Sequence, residues 1–303
     1  MQPIAVPLPP ARKPKTTPID LREVFVANGG FLQRSLPASP PWRPLVRLEP
    51  GRPARDVRDL APLQIAAAVD GIEASLVFTV TKGRPSFLVY VAAGSLGPNQ
   101  RLVRVAERLA VLASPRDARR LQATTGDLPV VALDALSSQA LAWHHAAVVP
   151  DWREQLEREV VTACATDGRF VLVDGSIERY VGIPGLIGCV KNAEAAYAVD
   201  EAELYDLPVG HRSGVFRVEP HTTAEQRWYG AYLRLHPPFA FHTFGLVVVQ
   251  TTDPELLDAA AAACFAQRQK IGNDDPRADR HLWPIRRCEE ALRARRPPYF
   301  SAR

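Results

Sequence analysis

Two short apolar runs in this chain each end in an Asp-Gly pair. The first, residues 66–71, carries Asp70, and the second, residues 170–175, carries Asp174. Small or β-branched apolar residues that end at one carboxylate predict a buried strand whose last side chain reaches a cleft. The glycine after each aspartate lets the backbone turn, or lets a phosphate or metal approach closely.

Two such strands can place Asp70 and Asp174 side by side at one edge of a sheet. Like charges at that separation are tolerable when a cation bridges them. A two-metal phosphodiesterase needs that arrangement. An Asp-Gly pair by itself also occurs in ordinary turns. The two copies together favour a metal site.

Hard divalent cations need several oxygen ligands, so each aspartate requires further carboxylates. Glu157 lies 17 residues before Asp174, on a predicted helix that can fold its carboxylate back toward the strand end. The alternative is that Glu157 belongs to a solvated helix face and pairs with neighbouring arginines.

The charged segment 274–290 supplies the remaining candidates, and a helix is predicted to begin in it at Pro284. Glu289 or His281 could complete the site. Helical side chains tilt toward the helix N-terminus, which favours Glu289. Lys191 ends an apolar strand soon after Asp174 and could neutralise a scissile phosphate, although a lysine at a strand end is more often simply solvated.

The composition is that of a globular protein with a substantial core. The chain has 303 residues, 47% of them hydrophobic and 23% charged, which allows one large α/β domain or two small ones. The net charge of +4 indicates only mild attraction to polyanions. The four cysteines form no C-x-x-C pair, which argues against a zinc knuckle or disulfides and favours a reducing cytosol.

Neither a membrane span nor a signal peptide is expected. The longest apolar run, around residues 257–266, is too short to cross a bilayer, and the N-terminus lacks an apolar core segment. These features predict a soluble, cytoplasmic protein that does not associate with a membrane.

Residues 1–57 contain 12 of the 28 prolines and are predicted to form a largely extended N-terminal arm. A short helix is possible at residues 20–27. The body is predicted to occupy residues 58–303. The arm could wrap the body or dock onto a partner.

The body is predicted to be an α/β domain, a mixed sheet with helices on its faces. A strand at 65–74 precedes a hairpin of 76–81 and 86–92, followed by an amphipathic helix at 100–113. The later elements are predicted as strands at 128–133, 170–174, 185–191, 214–219, 228–235 and 244–251, and helices at 151–165, 254–270 and 282–294.

The order of these motifs resembles the NurA nuclease family over residues 60–298. The matching residues are Val69-Asp70-Gly71, Glu157, Val173-Asp174-Gly175-Ser176, Gly188-Cys189-Val190-Lys191, Phe216-Arg217-Val218-Glu219, Trp228-Tyr229, Leu233-Arg234-Leu235 and Leu282-Trp283-Pro284-Ile285. The resemblance implies a ribonuclease H-like fold, a homodimer, manganese-dependent DNA cleavage, and cooperation with the hexameric HerA translocase.

The resemblance also assigns roles to individual residues. Asp70 matches the family's first-strand aspartate, Glu157 its helix glutamate and Asp174 its later-strand aspartate. The family closes its site with a histidine on the C-terminal helix. Here Glu289 falls near that position, so Glu289 could replace the histidine as a ligand, or His281 could serve.

The leading hypothesis is therefore a deoxyribonuclease in which Asp70, Glu157, Asp174 and Glu289 hold Mn²⁺ or Mg²⁺. The first alternative is a catalytically degraded subunit that only binds DNA or a partner ATPase. A less favoured alternative is a PIWI-like protein that binds a guide strand, although the chain lacks the length and the Lys/Gln pocket expected for one.

The expected assembly is a homodimer bound to a HerA-like hexameric ATPase. The chain has no G-x-x-x-x-G-K-[ST] loop with which to drive movement along DNA itself. The apolar run at residues 244–250 is predicted to offer a self-complementary sheet surface for the dimer.

Overall fold

The computed structural model describes residues 45–81, 84–133, 138–165, 169–180, 182–191, 204, 206–219, 227–238, 244–269 and 281–300. These residues belong to one compact unit that starts at residue 44. The short helix predicted at residues 20–27 lies outside the described residues.

A single twelve-stranded sheet organises the described chain. Its strands are β1 (Leu45–Leu48), β2 (Arg55–Asp56), β3 (Ile65–Thr81), β4 (Arg84–Leu96), β5 (Leu102–Ala113), β6 (Val130–Ala132), β7 (Phe170–Asp174), β8 (Leu186–Val190), β9 (His211–Arg212), β10 (Phe216–Glu219), β11 (Trp228–Arg234) and β12 (Leu246–Thr251). The main path runs β1-β10-β11-β12-β8-β7-β3-β4-β5-β6, and β2 pairs with β9 beside β11.

The sheet is mixed and largely antiparallel. The pairs β3–β7, β7–β8 and β5–β6 are parallel, and the other ladders are antiparallel. Parallel neighbours need crossover connections. Those between β5 and β6 and between β3 and β7 contain α-helices, and the one between β7 and β8 contains the short 3₁₀ helix Ile177–Tyr180. The predicted α/β class with a mixed sheet is confirmed.

Four α-helices accompany the sheet in the described part of the chain. They are α1 (Pro115–Gln122), α2 (Ser138–Cys164), α3 (Leu257–Ala266) and α4 (Trp283–Arg295). Successive side chains of β3 point to opposite faces of the sheet and pack in two separate hydrophobic clusters. Val69 packs in one cluster with Leu156 and Val160 of α2, whereas Ile72 packs in another with Leu292 of α4. The sheet therefore carries α2 on one face and α4 on the other, with α3 on the α4 side.

The helix predicted at 100–113 is wrong, because this segment is strand β5. Apolar residues at 102, 105, 109 and 112 match a helical period, but β5 pairs with β4 from Phe87↔Leu112 to Leu96↔Leu102. Three β-branched residues, Val103, Val105 and Val111, favour the extended conformation. The ladder with β4 decides the conformation of the segment.

The hairpin predicted around residues 82–85 is confirmed, since Thr81 pairs with Arg84. The two strands predicted at 65–74 and 76–81 are instead one continuous strand, β3. The Asp70-Gly71 pair therefore does not end a strand. Asp174 does end β7, and Gly175 follows it with a φ of +95° that glycine adopts readily.

The helix predicted at 151–165 is longer than expected. It begins at residue 138 and contains Pro150 within its 27 residues. A proline removes one helical hydrogen bond and normally suggests a boundary, which is why the first half escapes prediction. The remaining predicted strands and helices are found with shifts of a few residues at their ends.

Two features change the expected surfaces of the molecule. Part of the segment assigned to the arm belongs to the sheet: β1 pairs with β10 at one edge, and β2 pairs with β9. An edge position tolerates flanking prolines such as Pro50.

The dimer surface predicted at 244–250 is wrong, since β12 is buried throughout and lies between β11 and β8.

In the described residues, the longest helix, α2, and the shorter helices are all too polar or too short to be candidates for a membrane span.

Candidate metal centre

The parallel pairing of β3 with β7 places the two candidate aspartates next to each other. Val69 lies opposite Val173 in this ladder, and Asp70 and Asp174 are the residues that follow. Strand β7 ends there, while β3 continues beside β4. The two carboxylates therefore lie on neighbouring strands at the point where β7 ends.

Both aspartates point to the α4 face of the sheet. Val69 and Val173 pack in the core on the α2 side, and side chains alternate along a strand. Asp70 is only 9% exposed. Burial raises its pKa well above the usual range, and the charge of Asp174 raises it further, while Lys191 acts in the opposite direction.

Lys191 compensates the charge of this pair. Its Nζ lies 2.8 Å from Oδ1 and 2.9 Å from Oδ2 of Asp174. Burial by itself would lower the pKa of Lys191, but the charge and hydrogen bond of Asp174 raise it, with help from Asp70. The ammonium group therefore stays charged and serves as the counter-ion of the two aspartates.

Glu157 lies on α2, against the face of the sheet opposite to the one that Asp70 and Asp174 face. A Cβ atom added to Gly71 would lie 2.3 Å from Oε1 of Glu157, so the carboxylate occupies the space that a side chain at residue 71 would fill. Burial raises the pKa of Glu157, Arg153 lowers it, and Asp174 contributes a further increase. The glycine thus has a specific role: it lets Glu157 pack against the strand beside Asp70.

Three residues hold these groups in place: Arg153, a neighbouring arginine of the kind that the sequence analysis gave as a partner of Glu157, and Tyr180 and Gln250, which it missed. The Tyr180 hydroxyl donates to Oε2 of Glu157 at 3.2 Å, and Nε of Arg153 lies 3.4 Å from Oε1. Oε1 of Gln250 on β12 accepts the amide of Ile177 at 3.1 Å, which anchors the turn after Asp174. The sequence signal for Arg153 is its position four residues before Glu157 on a predicted helix, and the signal for Tyr180 is that it closely follows Asp174.

The structure places Glu289 on α4, close to Asp70, and places His281 in the segment before α4. The Sγ atom of Cys288 lies 3.2 Å from the carbonyl oxygen of Gly94, the cross-strand partner of Asp70, so α4 packs over this part of β3. Glu289 is close enough to raise the pKa of Asp70, and it also accepts from Arg293 at 2.6 Å. The backbone carbonyl of the buried His281 accepts from Gln269, just after α3.

Within the described ranges, no three His, Cys, Asp or Glu side chains form a ready-made metal cluster. Basic side chains lie among the acids instead, with Lys191 on Asp174 and Arg153 on Glu157. The donor chemistry nevertheless fits Mn²⁺ or Mg²⁺, because all the candidate donors are carboxylates. Burial and mutual repulsion disfavour the ionised form of Asp70, and a divalent cation would relieve both.

No protein-family model matches this chain, and no curated protein matches it. The candidate site therefore stands on the geometry and chemistry of its own residues.

Gly71→Ala tests the packing of Glu157. The new methyl group would clash with side-chain atoms of Glu157 and Arg153 on α2 and with no backbone atom, so the fold should persist while both side chains move. We expect the affinity for Mn²⁺, measured by isothermal titration calorimetry, to fall roughly 10- to 100-fold, as for other residues that position ligands.

The matched control is Gly214→Ala, because a Cβ atom at residue 214 would meet its nearest neighbour at 3.7 Å, an ordinary contact. This variant should bind Mn²⁺ like the wild type. Unchanged Mn²⁺ affinity in Gly71→Ala would show that Glu157 does not contribute to Mn²⁺ binding.

Proposed function

We propose that this protein is a metal-dependent DNA nuclease of the NurA type with a ribonuclease H-like fold. One observation carries the proposal: the β3–β7 pairing sets Asp70 and Asp174 on neighbouring strands, facing the same side, at the point where β7 ends. The order of motifs along the sequence supports the family and the DNA substrate.

The proposed ligands are Asp70 and Asp174 from the sheet, Glu157 from α2 and Glu289 from α4. A pair of Mn²⁺ or Mg²⁺ ions held there would supply an activated water and stabilisation of the leaving oxygen during phosphodiester hydrolysis. Tyr180 holds Glu157 in position through its hydroxyl.

Lys191 has a second proposed role. In the structure its ammonium group rests on Asp174. A phosphate at the site would offer it a stronger negative partner, because phosphate oxygens form charge-assisted hydrogen bonds with ammonium groups. Lys191 would then help to position the scissile phosphate.

A catalytically degraded subunit is the second candidate. Three of the four proposed ligands already have a basic partner, and the described residues contain no ready-made metal cluster. Such a subunit would bind DNA or a partner ATPase without cutting. Cleavage of linear DNA by the purified protein separates the two candidates.

Asp70→Asn and Asp174→Asn test the central assignment. Each change removes one proposed ligand, so Mn²⁺-dependent cleavage of linear DNA should fall at least about 100-fold. The thermal stability of Asp70→Asn should stay close to that of the wild type, because the change removes a buried charge that Asp174 opposes. Asp174→Asn also removes the ion-pair partner of Lys191, so it should lower the thermal stability.

The control is Asp127→Asn, a change at an exposed carboxylate, which should retain full activity. A variant of Asp70 or Asp174 that cleaves at the wild-type rate would exclude that residue as a ligand.

Glu289→Ala and His281→Ala decide the fourth ligand. The position of Glu289 over β3 favours it, so we expect the first variant to need more Mn²⁺ for half-maximal cleavage and the second to behave like the wild type. Loss of cleavage in His281→Ala alone would make His281, and not Glu289, the fourth ligand. No loss in either variant would leave three protein ligands.

The proposed assembly is a homodimer that acts with a HerA-like hexameric ATPase in the cytoplasm. Light scattering should give the mass of a dimer for the full chain, and the full chain should retain the ATPase from a host extract. A comparison chain should lack residues 1–44 rather than 1–57, because β1 and β2 belong to the sheet. A monomer in both chains with no ATPase retained would remove the assembly proposal.

A further inference from the structure

An exposed aromatic side chain lies on the helix that carries Glu289. Trp283 is the first residue of α4, and 42% of its surface is exposed. Glu289 follows it by six positions, a rise of about 9 Å along the helix axis. Because α4 packs over the cross-strand partner of Asp70, the indole lies on the same face of the sheet as the two aspartates.

Three contacts hold this tryptophan in place despite its exposure. Its Nε1–H donates to Oε1 of Gln100 at 3.2 Å, and the guanidinium carbon of Arg287 lies 5.6 Å from the ring centroid. Its backbone amide donates to the carbonyl of Gln267 at 2.7 Å. The hydrogen bond to Gln100 therefore favours one orientation of the ring before any ligand arrives, which reduces the entropy lost on binding.

The turn that holds the indole has an unusual backbone. Gln100 has a φ of 61°, the one positive value for a non-glycine residue in the described parts of the chain. Such a conformation is unfavourable for a residue with a side chain and is often found at ligand-binding positions. Here it belongs to the β4–β5 turn, whose glutamine side chain contacts the indole.

The chemistry of this surface suits one face of a nucleic-acid base. A rigid indole offers a flat π surface, and every base has a matching face whatever its sequence. The exposed Arg101 in the adjoining turn offers positive charge to a neighbouring phosphate. Arg287 lies beside the ring and also donates to Oε2 of Glu290 at 2.8 Å, so a phosphate would share it with that carboxylate. In a duplex the faces of the bases are already stacked, so the surface selects an unpaired nucleotide.

We propose that Trp283, Gln100 and Arg287 form a stacking site for an unpaired base of a single DNA strand, beside the carboxylate centre. This inference rests on the proposed nuclease function, because it takes DNA as the ligand. It adds a specificity: the protein holds a single-stranded segment near Asp70 and Asp174, and a duplex must fray before it occupies the site.

Binding of a fluorescein-labelled oligo-dT strand, followed by anisotropy in EDTA, tests the site without cleavage. Trp283→Ala should weaken binding roughly 5- to 100-fold, the range expected for the loss of one stacked base. Trp283→Phe should retain most of the affinity, because phenylalanine still stacks. The matched control is Trp143→Ala on α2, where a tryptophan of similar exposure, 49%, should be dispensable for binding.

The outcomes separate this site from the nuclease proposal. If the wild type binds oligo-dT and Trp283→Ala binds it equally well, the stacking site is wrong and the nuclease proposal stands. If the wild type neither binds nor cleaves DNA, both fail. If Trp283→Ala leaves binding unchanged but alters the mass found by light scattering, the surface is a protein contact instead.

Discussion

The close approach of two aspartates on parallel strands is the constraint on which the rest of this site depends. Asp70 and Asp174 follow directly after the paired residues Val69 and Val173, so the backbone ladder fixes their separation. Burial and like charge make that arrangement unfavourable by itself, as the raised pKa of Asp70 shows. A positive charge must therefore be present for both carboxylates to remain ionised.

The surrounding strands and helices supply basic and hydroxyl groups that stabilise the carboxylates. Strand β8 runs parallel to β7 and delivers Lys191 to Asp174. Helix α2 brings Glu157 over Gly71, with Arg153 and Tyr180 on its carboxylate. The same acids are thus held in place by basic and hydroxyl groups, and a divalent cation would have to compete with these partners. Such competition connects metal binding to movement of Lys191.

The sequence predicts the parts of this account that depend on local pattern. The strand ending at Asp174 follows from a short apolar run and Gly175, and the hairpin at residues 82–85 follows from its turn residues. The helix prediction for the segment 100–113 is wrong because its apolar spacing fits both a helix and a strand. Only the ladder with β4 decides between the two conformations. The contacts of Glu157 with Gly71 and Tyr180 join distant segments, so no local pattern reveals them.

The most direct test of the account is a crystal structure of the protein soaked with Mn²⁺, with the ion located by its anomalous scattering. The account predicts an ion bound by the carboxylates of Asp70 and Asp174, with Lys191 moved away from the position it holds on Asp174. A structure at saturating Mn²⁺ with no anomalous peak there, and with Lys191 still on Asp174, would contradict it.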